Sequence, residues 1–142
     1  MPRGEVVLTV GGTIGNTNGN SMASFDMAML ESLPKASFRT ASPWFQGATL
    51  FEGTPLVSIL EAVGAQGTSI NAVAINDYAV DIPMEDATLH KALVAYKVDG
   101  EYLPVRKKGP LWIVYDYDAR SVLRSEAYYT RSIWQLKALT IS

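Results

Sequence analysis

DGEYLPVRKKGPLWIVYDYD, residues Asp99 to Asp118, decides the fold class. Asp99-Gly100 stands between two runs, Leu93 to Val98 and Glu101 to Val105, and a two-residue Asp-Gly link suits the positive φ angles of a tight antiparallel hairpin. Arg106, Lys107 and Lys108 follow. Gly109 and Pro110 then turn the chain into Leu111 to Tyr115, a short apolar run rich in β-branched and aromatic residues that reads as an interior strand. A cationic loop is therefore held at the mouth of a buried strand. A positive loop fixed by rigid sheet is a place to receive an anionic or strongly polar ligand. Three adjacent charges are equally compatible with a solvated surface.

On the N-terminal side, Glu5 to Val10 reads as a strand closed by Gly11-Gly12, and Asn16 to Asn20 as a turn. Ser24 is placed to cap a helix over Phe25 to Leu33, ended by Pro34, with Phe25, Met29 and Leu33 as its core stripe. Lys35 to Thr40 and Ala48 to Glu52 read as extended segments around a bend at Ser42-Pro43-Trp44. Thr54-Pro55 is a helix start, Leu56, Ile59, Leu60 and Val63 share one face, and Gly64 ends the helix. Ile70 to Ile75 and Tyr78 to Ile82 are strands joined at Asn76-Asp77, and Ile133 to Ile141 is a further strand. About eight strands with two or three short helices, and no βαβ alternation, predict one α+β domain over residues 1–142. Its sheet is expected to be mostly antiparallel and barrel- or sandwich-like.

Composition narrows the chemistry. The 142 residues carry 12 Lys and Arg against 14 Asp and Glu, a formal charge of −2, which argues against a general nucleic-acid or anionic-membrane surface. The chain has no cysteine, so thiolate catalysis and thiolate-held metals are excluded. Its single histidine, His90, has no neighbouring histidine or evident carboxylate box and reads as a surface residue. No apolar run is long enough to span a bilayer, so no direct membrane insertion is expected. MPRGEVVLTV lacks the layout of a secretion signal, and Met1 to Arg3 is equally consistent with a start placed behind a removed leader.

Aromatic residues recur beside polar groups at the predicted strand ends: Trp44 after Ser42, Tyr78 after Asn76 and Asp77, Tyr128 and Tyr129 before Arg131, then Trp134. A flat heteroaromatic ligand needs aromatic or guanidinium planes for its faces and a carboxylate or amide for its N–H edge. The same residues also serve as core and rim positions of a small β-rich domain, and Asp77 has a turn role open to it.

The ordered set Phe25-Asp26, Leu33-Pro34, Ser42-Pro43-Trp44, Phe51-Glu52-Gly53-Thr54-Pro55-Leu56, Asn76-Asp77-Tyr78, Asp99-Gly100, Gly109-Pro110-Leu111 and Ile133-Trp134-Gln135-Leu136 resembles the small stand-alone members of the sulfite-oxidase-fold molybdopterin-binding superfamily. The resemblance runs from about Glu5 to Ile141. It implies a sulfite-oxidase-like fold and a pterin site. It also implies a metal-ligand cysteine between the first helix and the Phe51 to Leu56 stretch, where this chain has only Phe38 to Trp44 and no thiol. Within the superfamily the chain is most similar to the PruR group of periplasmic pterin-binding regulators. That similarity implies a reduced, monapterin-like pterin held without molybdenum, and no catalysis. It also implies signalling of pterin occupancy to the periplasmic region of a membrane diguanylate cyclase/phosphodiesterase of cyclic di-GMP, with a role in biofilm control.

The expected ligand-binding residues are Trp44, Tyr78 and Trp134 as pocket walls, Asn76 and Asp77 at the polar edge of the ring, Arg106, Lys108 and Arg131 towards ligand oxygens, and Tyr128. The alternatives are a molybdopterin-binding oxidoreductase component, with Arg106, Lys107 and Lys108 on a terminal phosphate, and a structural adaptor with no small ligand.

Overall fold

The computed structural model describes residues 4–15, 22–104 and 108–142. Among the described residues, ten strands form two five-stranded sheets. The first contains β1 (Val6–Gly12), β2 (Ala23–Asp26), β5 (Ser69–Ala74), β6 (Ala79–Pro83) and β10 (Leu136–Ile141), in the order β2-β1-β10-β5-β6. The second contains β3 (Ala36–Ser42), β4 (Phe45–Pro55), β7 (Leu93–Val98) and β8 (Glu101–Tyr102) in that order, with β9 (Trp112–Val114) also paired to β7. Every pairing is antiparallel except β1 with β10, which run parallel. The α+β, mainly antiparallel expectation is therefore met.

Asp99-Gly100 makes the expected hairpin, with positive φ at both residues, and Asp99 Oδ1 accepts from the Leu50 N–H at 3.0 Å. Leu111 to Tyr115 are all fully buried, and Trp112 Nε1 donates to the Ser132 carbonyl at 3.1 Å. The helix α2 (Leu56–Val63) buries the four apolar residues its spacing selects and ends at Gly64 with φ 64°.

Several boundaries differ from the sequence reading. Phe25 lies in β2, not in a helix. The first helix, α1 (Met27–Ser32), is capped by Asp26, whose carboxylate accepts from the Met29 N–H at 2.8 Å, so Ser24 is not the cap. Thr54 belongs to β4, where its hydroxyl donates to the Leu30 carbonyl at 2.9 Å, and it does not cap α2. The strand expected from Ile133 starts only at Leu136, because Gln135 has φ 52° and breaks the run. The β8 strand ends at Tyr102, while Val105 and the turn expected at Asn16 to Asn20 lie outside the described residues.

Two further helices, α3 (Met84–Thr88) and α4 (Glu126–Arg131), were not expected. Both are too short to show an apolar period, and α4 buries no residue fully.

Candidate functional site

A cleft of about 720 Å³ opens where three segments meet: the Pro43-Trp44 turn between β3 and β4, the turn after β5 at Asn76 and Tyr78, and the stretch from Arg124 through α4 to Gln135. Each segment is there for a local reason. Ser42 pairs with Phe45, so Pro43 and Trp44 form the two-residue turn, with a register shift just before it after Ala41. Asn76 Oδ1 accepts from the Tyr78 N–H at 3.1 Å and the Asp77 N–H bonds the Ala74 carbonyl at 2.9 Å, making a side-chain-stabilised turn. After α4, the Trp112–Trp134 bridge fastens the chain to β9.

Trp44 is the hub of the wall. Its ring meets Trp112 at 5.1 Å, Tyr129 at 5.9 Å, Tyr117 at 6.0 Å and Trp134 at 6.1 Å between centroids, all edge to face. Trp134 stays 40% exposed and Tyr78 52% exposed, so both keep aromatic surface for an occupant. Lys108 Nζ sits 5.2 Å from the Trp134 ring centroid and 5.9 Å from that of Trp112, a cation held on the aromatic wall. Arg124 lines the cleft and donates to the Tyr117 carbonyl at 3.1 Å. Glu126 is the carboxylate on the lining.

Of the expected site residues, Trp44, Asn76, Tyr78 and Trp134 do line one cleft, and Lys108, which is not on the lining, lies over the ring of Trp134. Asp77 does not. It has φ 69°, is almost fully exposed and pairs with Lys137 at 2.7 Å, which holds its carboxyl below the usual range through that hydrogen bond and the ammonium charge. The turn role open to it is the role it takes. Tyr128 and Arg131 leave the opposite face of α4: Arg131 pairs with the buried Asp86 at 3.0 Å and lies over the Tyr128 ring. Arg106 lies outside the described residues, as does Lys107.

Arg124 and Glu126 are cleft residues that sequence reasoning missed, and Tyr129 lines the cleft although only its neighbour Tyr128 was chosen for the site. The signal available was Ser125 ahead of Glu126, Tyr129 and Thr130, residues at helical spacing on one face. His90 is also not a surface residue, being half-buried with its ring against Tyr128 at 5.4 Å.

Beneath the cleft, Tyr117 and Ser132 share a hydrogen bond and Ser132 Oγ bonds the Tyr128 carbonyl at 2.9 Å. Burial pushes the Tyr117 phenol well above its ordinary value. Tyr115 is raised in the same way, with the nearby Asp86 carboxylate adding to the effect. Both phenols stay neutral, Tyr117 bonding Ser132 beneath the cleft and Tyr115 donating to Asp86 at 2.8 Å on the other side of α4.

The family model for the oxidoreductase molybdopterin binding domain matches residues 15–117, well over half of the chain. The chain belongs to that family. This molybdopterin binding domain is also similar to the sulfane dehydrogenase SoxCD from Paracoccus pantotrophus, with a TM-score of 0.71 and 18% identity over 94% of the chain. The likeness shows the sulfite-oxidase-like fold, and the domain spans 37% of that larger chain. No curated protein matches it. The match to the family covers Trp44, Asn76 and Tyr78 but ends before α4 and Trp134, so one wall of the cleft lies beyond it.

The residues fit the two parts of a molybdenum–pterin group differently. An aromatic-walled cleft with an amide, a carboxylate and cations suits a flat, polar-edged heterocycle. The resemblance implies a cysteine thiolate on the metal, and the chain has no thiol to give it. In Phe38 to Trp44, Ser42 Oγ is buried without a partner, but a hydroxyl is a hard donor and Ser42 is not on the cleft lining. The pterin portion fits. A thiolate-ligated molybdenum does not.

Proposed function

We propose that this domain is a non-catalytic, periplasmic binding module that holds a reduced, monapterin-like pterin without molybdenum. Its occupancy is read by the periplasmic region of a membrane diguanylate cyclase/phosphodiesterase of cyclic di-GMP. The observation that carries the ligand half is the pairing of an aromatic cleft in a molybdopterin-binding fold with a chain that has no cysteine. Trp44, Tyr78 and Trp134 wall the ring, Asn76 and Glu126 take its N–H edge, and Lys108 and Arg124 meet its oxygens. The regulatory half rests on the resemblance to the PruR group.

The cleft is large enough for such a ligand. A pterin with a short side chain has about 15–18 heavy atoms, and ~0.5 kcal/mol per atom gives about 8 kcal/mol. That corresponds to roughly micromolar affinity, sufficient for a sensor.

The family match favours a second reading, a molybdopterin-binding oxidoreductase component completed by another subunit, with Lys108 and Arg124 on the terminal phosphate. Native mass spectrometry and metal analysis of protein from its own host separate the readings. A pterin mass without molybdenum supports the binding module, and stoichiometric molybdenum supports the oxidoreductase component. No bound mass, with no calorimetric binding of added tetrahydropterin, sinks both and leaves a structural adaptor. For the regulatory half, mixing with the periplasmic region of the enzyme should give a complex only when the pterin is present.

A further inference from the structure

Behind α4, away from the cleft, the chain gathers its only histidine with two carboxylates. One ligand atom each from Glu85, Asp86 and His90 lies within 4.8 Å of the others. The backbone brings them together, since the N–H groups of Leu89 and His90 both bond the Glu85 carbonyl, at 2.7 and 3.1 Å, folding His90 back over the start of α3. Each of the two deeper groups has one atom occupied and one idle. Asp86 Oδ2 accepts from Tyr115 OH at 2.8 Å and from Arg131 at 3.0 Å, while Asp86 Oδ1, on a fully buried side chain, has no partner. His90 Nε2 faces Tyr128 OH at 3.3 Å, while His90 Nδ1 is buried without a partner.

Buried polar atoms without partners are costly, and a native fold leaves few of them. Two in one cluster, each on a side chain whose other polar atom is held, have the pattern of metal ligands oriented by outer hydrogen bonds. We propose that Glu85, Asp86 and His90 bind a divalent first-row transition cation, with zinc the natural probe. The imidazole and carboxylate donors select that class over calcium or magnesium, and the exposed Glu85 leaves room for water to complete the coordination. Donor bonds of about 2.0–2.2 Å at tetrahedral angles place ligand atoms about 3.3–3.6 Å apart, so atoms lying within 4.8 Å of one another close by at most about 1.5 Å. Arg131 offsets one carboxylate charge and fixes which oxygen Asp86 presents. None of the three donors belongs to the cleft lining.

The test uses the full chain without a histidine tag. Isothermal titration with zinc should show one saturable site per chain, weakened at least about tenfold by His90→Ala and also by Glu85→Gln. Both substitutions fall outside the fully buried core, so loss of folding does not confuse them. Because the chain has one histidine, its ring gives a single set of imidazole nitrogen resonances. The Nδ1 signal should move on zinc addition. An unsaturable titration, an affinity unchanged in His90→Ala, or an unmoved imidazole signal would overturn the assignment.

Discussion

Trp134→Ala separates the cleft from the core. Trp134 lies on the cleft wall and is 40% exposed, with contacts to Trp44 at 6.1 Å, Trp112 at 6.2 Å and Lys108 at 5.2 Å. Removing the indole deletes the stacking surface and also frees the Lys108 ammonium from its ring. A stacked heterocycle loses about 1–3 kcal/mol per aromatic plane, about 5- to 150-fold in affinity. The cost to the fold is smaller than for a core tryptophan, because much of the ring is solvated already, and about 1–2 kcal/mol covers its edge contacts. Reduced pterin binding by fluorescence titration, run beside urea melts of the same samples, reads both quantities. Asp77→Ala is the control: it removes an exposed ion pair outside the cleft and should leave affinity within about twofold. If Trp134→Ala binds like the parent while Asp77→Ala loses affinity, the cleft is not the site and the placement of the ligand is refuted.

Arg131→Met should destabilise the fold by about 3–5 kcal/mol in urea denaturation, because it strands the buried Asp86 carboxylate with Tyr115 as its remaining donor; a cost near zero would refute the pairing. Tyr115 and Tyr117 have phenols raised by burial, so the neutral form is favoured in the native state. Their stabilising effect is complete below the unfolded value of about 10 and is lost as pH rises beyond it. Tyrosinate absorbance should therefore rise for these two only together with loss of the circular dichroism signal, and ionisation in a native fold would contradict it. Gly53→Ala should cost at least about 3 kcal/mol or abolish soluble expression, since a Cβ there would overlap the Val94 carbonyl where β4 shifts register against β7. A melting temperature equal to the parent's would rule that out.

The parts of the fold legible in the sequence are those where short-range chemistry is decisive. Asp99-Gly100 needs nothing distant to make its turn, and the apolar face of α2 with Gly64 at its end specifies a helix by itself. The errors lie where a distant partner takes over. Thr54 carries the local signature of a cap, but the Leu30 carbonyl lies within reach of its hydroxyl, and strand pairing wins. Asp26 captures its cap position because a helix there would otherwise have to include the strand partner Phe25.

The site divides in the same way. The aromatic members were visible as residue types near strand ends, whereas Arg124 and Glu126 were not, because α4 takes its position from tertiary packing. Asp77 and Arg131 were chosen for their charge, and charge alone does not reveal that a partner elsewhere in the chain, Lys137 or Asp86, has already engaged it.

Glu126, Tyr129 and Thr130 line the cleft, while Tyr128 and Arg131 grip His90 and Asp86 on the other side. With under two turns of backbone between them, neither side can shift without carrying the other, so substitutions on opposite sides should show non-additive energies in a double-mutant cycle.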